Sequence, residues 1–479
     1  MQTSDIKRFV MKRNELATIK LFVEFYLPQY QSLLDALKRS PYPLVPLRDI
    51  SVRMFDGPFG SNRKVDMYQD SGIPYVRVKD VLPEGINVKG LTYISEEKHQ
   101  EIIRSRVVPG NVLITIAGRV GTVAVFPDSF PEGNITGHIA GVEVPNAINP
   151  YYLAAFLNSW LGEFQIKRWS HRTTRPELNL RELEQVLISV PPRPVQDQIA
   201  QLMRDAYAVR QKARIEAREL LDNIDRFVTQ QLGIHADWLS QERRFVRPVS
   251  RLGRWDITYS LPYFYDLENA VCSGRYPVRS FGELVEFSDE ITDPLQLPDE
   301  IFRYIEIGGI DSALWEVNSY KEILGREAPS RARRLVREGD VVTGVSGVLT
   351  GTKGQASFIV PPHLDGAVAS TGFAVLRPHE GILAEYIFSL LVSGFFLEMI
   401  WRRKTGAAIP AISDRDFKAI PTPYAPLDVQ EKIASAVMNL KKQAMLLHAK
   451  VESDVKDSKE LVEQMILGQD SITKRSHSY

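Results

Sequence analysis

The spacing of hydrophobic positions changes twice along the chain, each time from short alternating stretches to a long helical stripe. Ile73-Pro74-Tyr75-Val76-Arg77-Val78 alternates like a strand, Val107 to Ile114 reads as a turn followed by a strand, and Gly121 to Phe126 reads as another strand. A second set follows at Arg303 to Ile307, Glu338 to Val342 and Gly351-Thr352. Short strands punctuated by Gly and Pro predict a compact twisted sheet in each set. One helix is expected over 150–160 and its counterpart over 383–401. Then the period shifts to alternating steps of four and three. Val195, Ile199, Leu202, Ala206, Val209 and Ala213 form one row, which breaks at Glu216 and resumes at Leu220, Ile224 and Phe227. Ile433, Val437, Leu440, Ala444, Leu447 and Val451 form the other. These are heptad patterns, each of ~35–40 residues or roughly 50–60 Å of helix. Helix breakers precede both, Pro191-Pro192-Arg193-Pro194 and Pro421 to Pro426. Either stripe alone reads equally well as a core-facing helix, but two matched stripes favour pairing with each other.

The two sets are in register. Leu27-Pro28 recurs as Leu261-Pro262, Tyr42-Pro43 as Tyr276-Pro277, and Gln196-Asp197-Gln198-Ile199 as Gln430-Glu431-Lys432-Ile433, each 234 positions on (261 − 27). Lys7-Arg8-Phe9-Val10 similarly matches Arg243-Arg244-Phe245-Val246, and Leu232-Gly233 matches Leu467-Gly468. A period this long marks a duplicated domain pair rather than a solenoid. The expected fold class is therefore α/β (α+β), with two mixed α/β domains, two long antiparallel coiled-coil helices and a pseudo-two-fold internal duplication. The expected divisions are a helical segment at 1–43, a first domain at 44–192, a long helix at 193–235, a connector at 236–275, a second domain at 276–424, a second long helix at 425–470 and a polar tail at 471–479.

Composition narrows the class. A length of 479 residues exceeds what one core usually supports. Hydrophobic content of 44% and charged content of 25% are those of a soluble globular protein. The single cysteine, Cys272, excludes a disulfide framework and fits a reducing cytoplasm. Met1 to Val10 lacks the apolar core of a signal peptide, and the longest apolar run, Tyr386 to Leu397, is too short to span a bilayer. A net charge of zero argues against nonspecific nucleic-acid coating and against an acidic DNA mimic, but not against a local basic groove.

Several motifs, taken in order, resemble the specificity subunits of type I restriction-modification systems over nearly the whole chain. Asp56-Gly57-Pro58-Phe59-Gly60-Ser61, then Tyr68, then Gly72 to Arg77 resembles the opening of a family target-recognition domain. Asn179-Leu180 through Val190-Pro191-Pro192, followed by Gln196 and Ile199, resembles the passage from that domain to a helix, and Ile412 through Pro426 with Gln430 and Ile433 repeats it. Arg254-Trp255-Asp256 with Tyr259 and Leu261-Pro262 resembles the approach to a second domain. The second copy lacks the Gly-Pro-Phe-Gly loop over 285–293, and the first lacks the Trp-Asp pair before Leu27. The resemblance implies a non-catalytic subunit that reads a bipartite site on double-stranded DNA, one half per domain, with the helices as spacer. It also implies partner methyltransferase subunits, two of them, that use S-adenosylmethionine, and motor-nuclease subunits. No cofactor or membrane is expected for this chain. The two domains differ heavily in sequence, so the half-sites should differ.

Candidate DNA contacts follow from basic, hydroxyl-bearing stretches at equivalent positions. They are Arg168-Trp169-Ser170-His171-Arg172-Thr173-Thr174-Arg175 and Trp401-Arg402-Arg403-Lys404-Thr405-Gly406. Arginine can pair both acceptors of guanine in the major groove, and phosphate contacts position without reading. The plainer reading is a solvated helix end with cations near its C-terminal dipole. Ser61, Asn62, Arg63 and Lys64 offer a further loop, or an ordinary polar turn. Ser346-Gly347 with Thr350-Gly351-Thr352-Lys353 reads as a contact loop or a Gly-rich hairpin. The cations Arg331, Arg333, Arg334 and Arg337 are offset by Glu327, Glu338 and Asp340.

No catalytic set emerges. Asn149-Pro150-Tyr151-Tyr152 lacks the second proline of an amino-methyltransferase tetrapeptide and reads as a helix start. No phosphate loop of the Gly-Lys-Ser/Thr type is present. The eight scattered histidines and one cysteine give poor prospects for zinc, and Asp340 reads as a turn residue aligned with Asn111. The alternatives to a specificity subunit are a helical adaptor without sequence-specific DNA reading and, more remotely, a DNA methyltransferase.

Overall fold

A computed structural model describes residues 23–58, 68–170, 176–235, 254, 256 and 258–469. The Lys7 to Val10 and Arg243 to Val246 matches, half of the 236–275 connector and the 471–479 tail lie outside the described residues. The chain forms two compact units, Met1–Lys212 with Lys450–Tyr479, and Ala213–Ala449.

Besides two short two-stranded pairs, eight described strands build the larger sheets of the first unit: β1 Arg53–Asp56, β2 Ile73–Val76, β3 Thr92–Ile94, β4 Arg106–Val107, β5 Val112–Thr115, β6 Val123–Val125, β7 Gly133–Ile135 and β8 Ile139–Glu143. They make two four-stranded sheets, ordered β1-β8-β5-β6 and β3-β2-β7-β4. The second unit repeats the plan with β9 Val285–Phe287, β10 Ile301–Ile305, β11 Lys321–Leu324, β12 Ala332–Leu335, β13 Val341–Gly344, β14 Ser357–Ile359, β15 Val368–Ser370 and β16 Phe373–Pro378. Its sheets are ordered β9-β16-β13-β14 and β11-β10-β15-β12, the same orders displaced by eight strands. The strand expected at Gly351-Thr352 is instead a turn, and pairing resumes only at β14.

Helices pack on the first sheet of each unit. They are α1 Pro28–Lys38, α2 Pro150–Leu157, α3 Trp160–Trp169 and the long α4 Arg193–Leu232, then α5 Pro262–Cys272, α6 Ala384–Leu391, α7 Gly394–Arg403 and the long α8 Leu427–Ile466, besides four single-turn pieces. Asn149 caps α2 by accepting from the backbone N–H groups of Tyr151 and Tyr152, with Pro150 in the first turn. The single helices expected over 150–160 and 383–401 are each broken in two. Ser159 Oγ donates to the Phe156 carbonyl and Ser393 Oγ to the Leu390 carbonyl, both at 2.6 Å, so side chains take over the last carbonyls of the preceding turn. Gly162 and Gly394 then admit close neighbours at the restart; a Cβ on Gly162 would lie 2.4 Å from the Leu157 Cα. Among the described residues no single helix is long and apolar enough to cross a membrane.

Each long helix contributes to both units. In the first, Ile199, Ala200, Met203 and Tyr207 of α4 and Val455, Val462 and Ile466 of α8 join one core with α2 and β5. In the second, Ile224, Val228 and Leu232 of α4 and Ile433 and Val437 of α8 join the core built on Phe281, Phe396 and Phe417. The buried row on α4 is not the one expected: Val209 is 53% exposed, while Gln196 and Arg210 are buried. Polar residues hold the domains to the helices by the same contacts in each unit. Gln196 Oε1 accepts from the Asn149 N–H at 2.8 Å, and Gln430 Oε1 accepts from the Leu383 N–H at 3.0 Å. The hydroxyls of Tyr152 and Tyr386 donate to the carbonyls of Ser189 and Pro423. Glu463 accepts from the Trp160 N–H and Asp225 from the Gly394 N–H, both at 2.7 Å. Gly233 and Gly468 both take φ +67 to end the long helices.

Candidate nucleic-acid interface

The candidate loop of the second unit begins where α7 stops. Lys404 turns extended (φ −64, ψ 148), which ends the helix. Thr405 and Ala411 then exchange both backbone hydrogen bonds, 2.7 and 2.8 Å, and close residues 405–411 into a tight loop. Gly406 has φ +97 with the Ile409 carbonyl against it, where a Cβ would lie 2.8 Å from that oxygen. The segment leaving β13 zips alongside. Ile412 N–H donates to the Val345 carbonyl at 3.0 Å and Gly347 N–H to the Pro410 carbonyl at 2.8 Å, and Ser346 bridges Ala411. Gly351, at φ +73, backs the second loop onto α7; a Cβ there would sit 2.5 Å from the Trp401 backbone. Lys404 Nζ donates to the Thr350 carbonyl at 3.1 Å and lies 5.1 Å from the Trp401 ring centre, and its burial holds its pKa below the usual lysine value. The structure thus brings Ser346 to Lys353 together with Lys404 and Thr405.

The arginines of this stretch are placed differently. Arg402 is 2% exposed, its Nη1 2.7 Å from Glu268, its Nε donating to the Tyr259 carbonyl and its plane 4.3 Å from the Tyr265 ring centre. Arg403 is also buried and pairs with the same Glu268. The expectation that Arg402 and Arg403 reach DNA is corrected: both guanidiniums are consumed in fastening α7 to α5. Arg168, the counterpart of Arg402, donates from Nε to the Phe25 carbonyl at 2.8 Å and stacks 3.9 Å over the Phe25 ring. Burial lowers its pKa, and its role is likewise a tie within the first unit. Lys353 remains two-thirds exposed and meets Asp222 at 2.6 Å. Ser61, Asn62, Arg63, Lys64, His171, Arg172, Thr174 and Arg175 lie outside the described residues. The run at Arg331 to Arg337 is drawn into ion pairs, Arg333 with Asp293 at 2.5 Å and Arg337 with Glu290 at 3.5 Å.

The sequence reading missed the apolar tip of these loops. Val348 and Ile409 are each 70% exposed and Leu349 51%. The first unit has the same zipped pair, with Ala117 bridging Glu177 and Leu178 N–H donating to the Ile116 carbonyl at 2.8 Å. Its tip differs. Arg119 is there, tied to the Val81 carbonyl, and Val120 packs against the core. The signal that could have found this was a pair of aliphatic residues enclosed by Gly347 and Gly351, where a core strand has no reason to turn.

Among the described residues no group of three or more His, Cys, Asp or Glu side chains is placed to hold a metal. Asp340 accepts from the Arg337 N–H at 2.8 Å, and Asn111 accepts from the Val108 N–H at 3.1 Å. Both are therefore turn residues, and Asp340 is further occupied by Arg377 at 2.9 Å.

The two units carry matched loop pairs whose tips are unlike, Val348 and Ile409 in the second and Arg119 in the first. Residues 60–218 match the family model described as the Type I restriction modification DNA specificity domain. The type I restriction enzyme EcoBI specificity subunit of Escherichia coli is 24% identical over 215 residues, 43% of this chain and 40% of that protein. The MjaX specificity subunit of Methanocaldococcus jannaschii is 27% identical over 140 residues, 28% of this chain and 33% of that protein. The matched regions thus span well under half the length of these relatives. A crystal structure of a type I system S subunit from M. genitalium aligns over 89% of this chain and 96% of its own at 12% identity, with a TM-score of 0.41, too low to add to the argument. Residues 60–218 thus resemble a type I restriction-modification DNA specificity domain, and the curated relatives that share the likeness are specificity subunits.

Proposed function

We propose that this chain is the non-catalytic subunit that gives a type I restriction-modification complex its DNA sequence specificity. Each recognition domain reads one half of an asymmetric bipartite site in double-stranded DNA. The two long helices arise from an internal duplication, pair antiparallel as a coiled coil, set the spacer between half-sites and dock two methyltransferase subunits. S-adenosylmethionine is held by those partners and not by this chain, motor-nuclease subunits join the assembly, and it acts in the cytoplasm. One observation carries the reading: the domain-to-helix contacts recur 234 positions on, as Asn149 with Gln196 and Leu383 with Gln430, while the loop tips mounted on the two domains differ. Equal sockets with unequal tips are what reading two different half-sites requires.

The test is methylome sequencing of a host expressing this chain with its modification subunit, against a deletion of this chain. Loss of N6-methyladenine at one interrupted, asymmetric motif is expected. An unchanged methylome, with the modification subunit active, would move the reading to a helical adaptor.

A further inference from the structure

We infer that the paired loops of the second unit read thymine through its 5-methyl group, with Val348 and Ile409 as the contacting side chains. The inference rests on the DNA-reading role proposed above and adds the chemistry of one half-site.

Single exposed apolar residues need no explanation. These are not single. Ser346 stands opposite Ala411, and Gly347 donates to Pro410, so Val348 and Ile409 each lie one residue beyond this pairing, on the two loops that it joins. Both are 70% exposed. The loops that carry them are fixed by the Thr405–Ala411 pair, the Gly351 contact with Trp401 and the Lys404 bond to Thr350. Valine and isoleucine are also stiff at χ1. Little conformational freedom is therefore lost when such a tip meets a partner.

The surroundings favour a polyanion. Residues 345–354 and 404–411 contain no carboxylate, and they bring Lys404, the exposed Thr405 and Lys353, which is two-thirds exposed although its ammonium also meets Asp222 of α4. An apolar tip between cations suits a surface that is anionic at its rim and apolar at one point. The major groove offers one such apolar point, the C5 methyl of thymine. The first unit carries Arg119 at the equivalent tip, bonded to the Val81 carbonyl, so methyl reading is specific to the second half-site.

The test uses the full chain in complex with its modification subunits. Once the methylome has given the motif, duplexes carry uracil in place of each thymine of the second half-site, one at a time, and binding is measured by fluorescence anisotropy. Uracil removes the methyl group and leaves the base pair. One position should lose about fourfold in affinity, the equivalent of one methyl group withdrawn from contact (~0.8 kcal/mol). The V348A/I409A variant should bind the thymine and uracil duplexes equally, with the first half-site still required. Unchanged wild-type affinity at every uracil position overturns the inference, as does a second half-site with no thymine on either strand. A variant that still discriminates uracil overturns the assignment to Val348 and Ile409. If uracil has no effect and the variant instead loses its modification subunits, the tip is a protein contact and the inference is wrong. A wild-type complex that selects no motif at all overturns both this inference and the broader reading, and does so before any uracil is introduced.

Discussion

Glu268 on α5 holds two guanidiniums at once, Arg402 at 2.7 Å and Arg403 more closely still. Both arginines are buried, so removing the carboxylate strands two cations inside the second unit. Glu268→Ala should cost about 3–5 kcal/mol, read as a lower urea midpoint. Arg403→Ala should likewise act through stability and not through a lost base contact, weakening binding to all sequences once the second unit unfolds. A second residue-scale prediction concerns pH. Burial raises the pKa of Glu463, which accepts the Trp160 N–H at 2.7 Å where α3 begins. The folded state therefore holds this proton more tightly than the unfolded chain. Its contribution to stability is complete below the ordinary carboxylate pKa and is lost as pH rises through the raised value. Glu463→Gln keeps an acceptor and never becomes charged. Its melting temperature relative to wild type should therefore increase from pH 4 to pH 8, and a difference constant with pH would contradict the assignment. These contacts were invisible in the sequence, because a basic run looks the same whether its partner is a phosphate or a glutamate 135 positions away (403 − 268).

Among the elements, the long helices were the most legible. Their heptad period is carried by residues such as Ile199, Ile224, Ile433 and Val437, all buried. The register of the stripe was less so. A scan for apolar residues selects Val209 and passes over Gln196 and Arg210, which the helix buries. Gln196 is satisfied by Asn149 and the Pro191 carbonyl, and Arg210 pairs through its terminal nitrogens with Glu84 at 2.5 Å and Glu452 at 3.4 Å. The core strands β5 and β13 were legible for their continuous apolar runs, whereas the breaks after α2 and α6 depend on serine hydroxyls whose bonding the sequence does not announce. The recognition loops were the least legible, because exposure there is decided by glycine geometry and main-chain pairing. The helices carry their own prediction. Seven residues inserted within Gln201 to Asn223 of α4, with seven at the facing level of α8, lengthen the pair by ~10 Å and preserve the stripe. The methylated motif should gain about three base pairs of spacer, at ~3.4 Å each, with both half-sites unchanged. An unchanged spacer in a folded variant would sink the idea that the helices measure it.

At the scale of the whole molecule, the matched contacts make the domains at 44–192 and 276–424 candidates for exchange. In each a tyrosine hydroxyl bonds the short strand just before the long helix, Leu187–Ser189 or Pro421–Pro423, Tyr152 to Ser189 and Tyr386 to Pro423. Each meets a helix-start glutamine, Gln196 or Gln430. Each also presents the first N–H of a broken helix to an acid on a long helix, Trp160 to Glu463 and Gly394 to Asp225. A second copy of residues 276–424 in place of 44–192 would therefore keep its tyrosine bond within itself and find the same two attachments on the long helices. The attachments are the same in both units although the loops of the two domains differ. Such a chain should fold, and its methylome should show a symmetric motif, the second half-site facing its own inverted copy across a spacer of the original length. A folded chimera that still methylated the original asymmetric site would show that specificity lies outside the recognition domains. One that selected a different spacer would place part of the ruler within them.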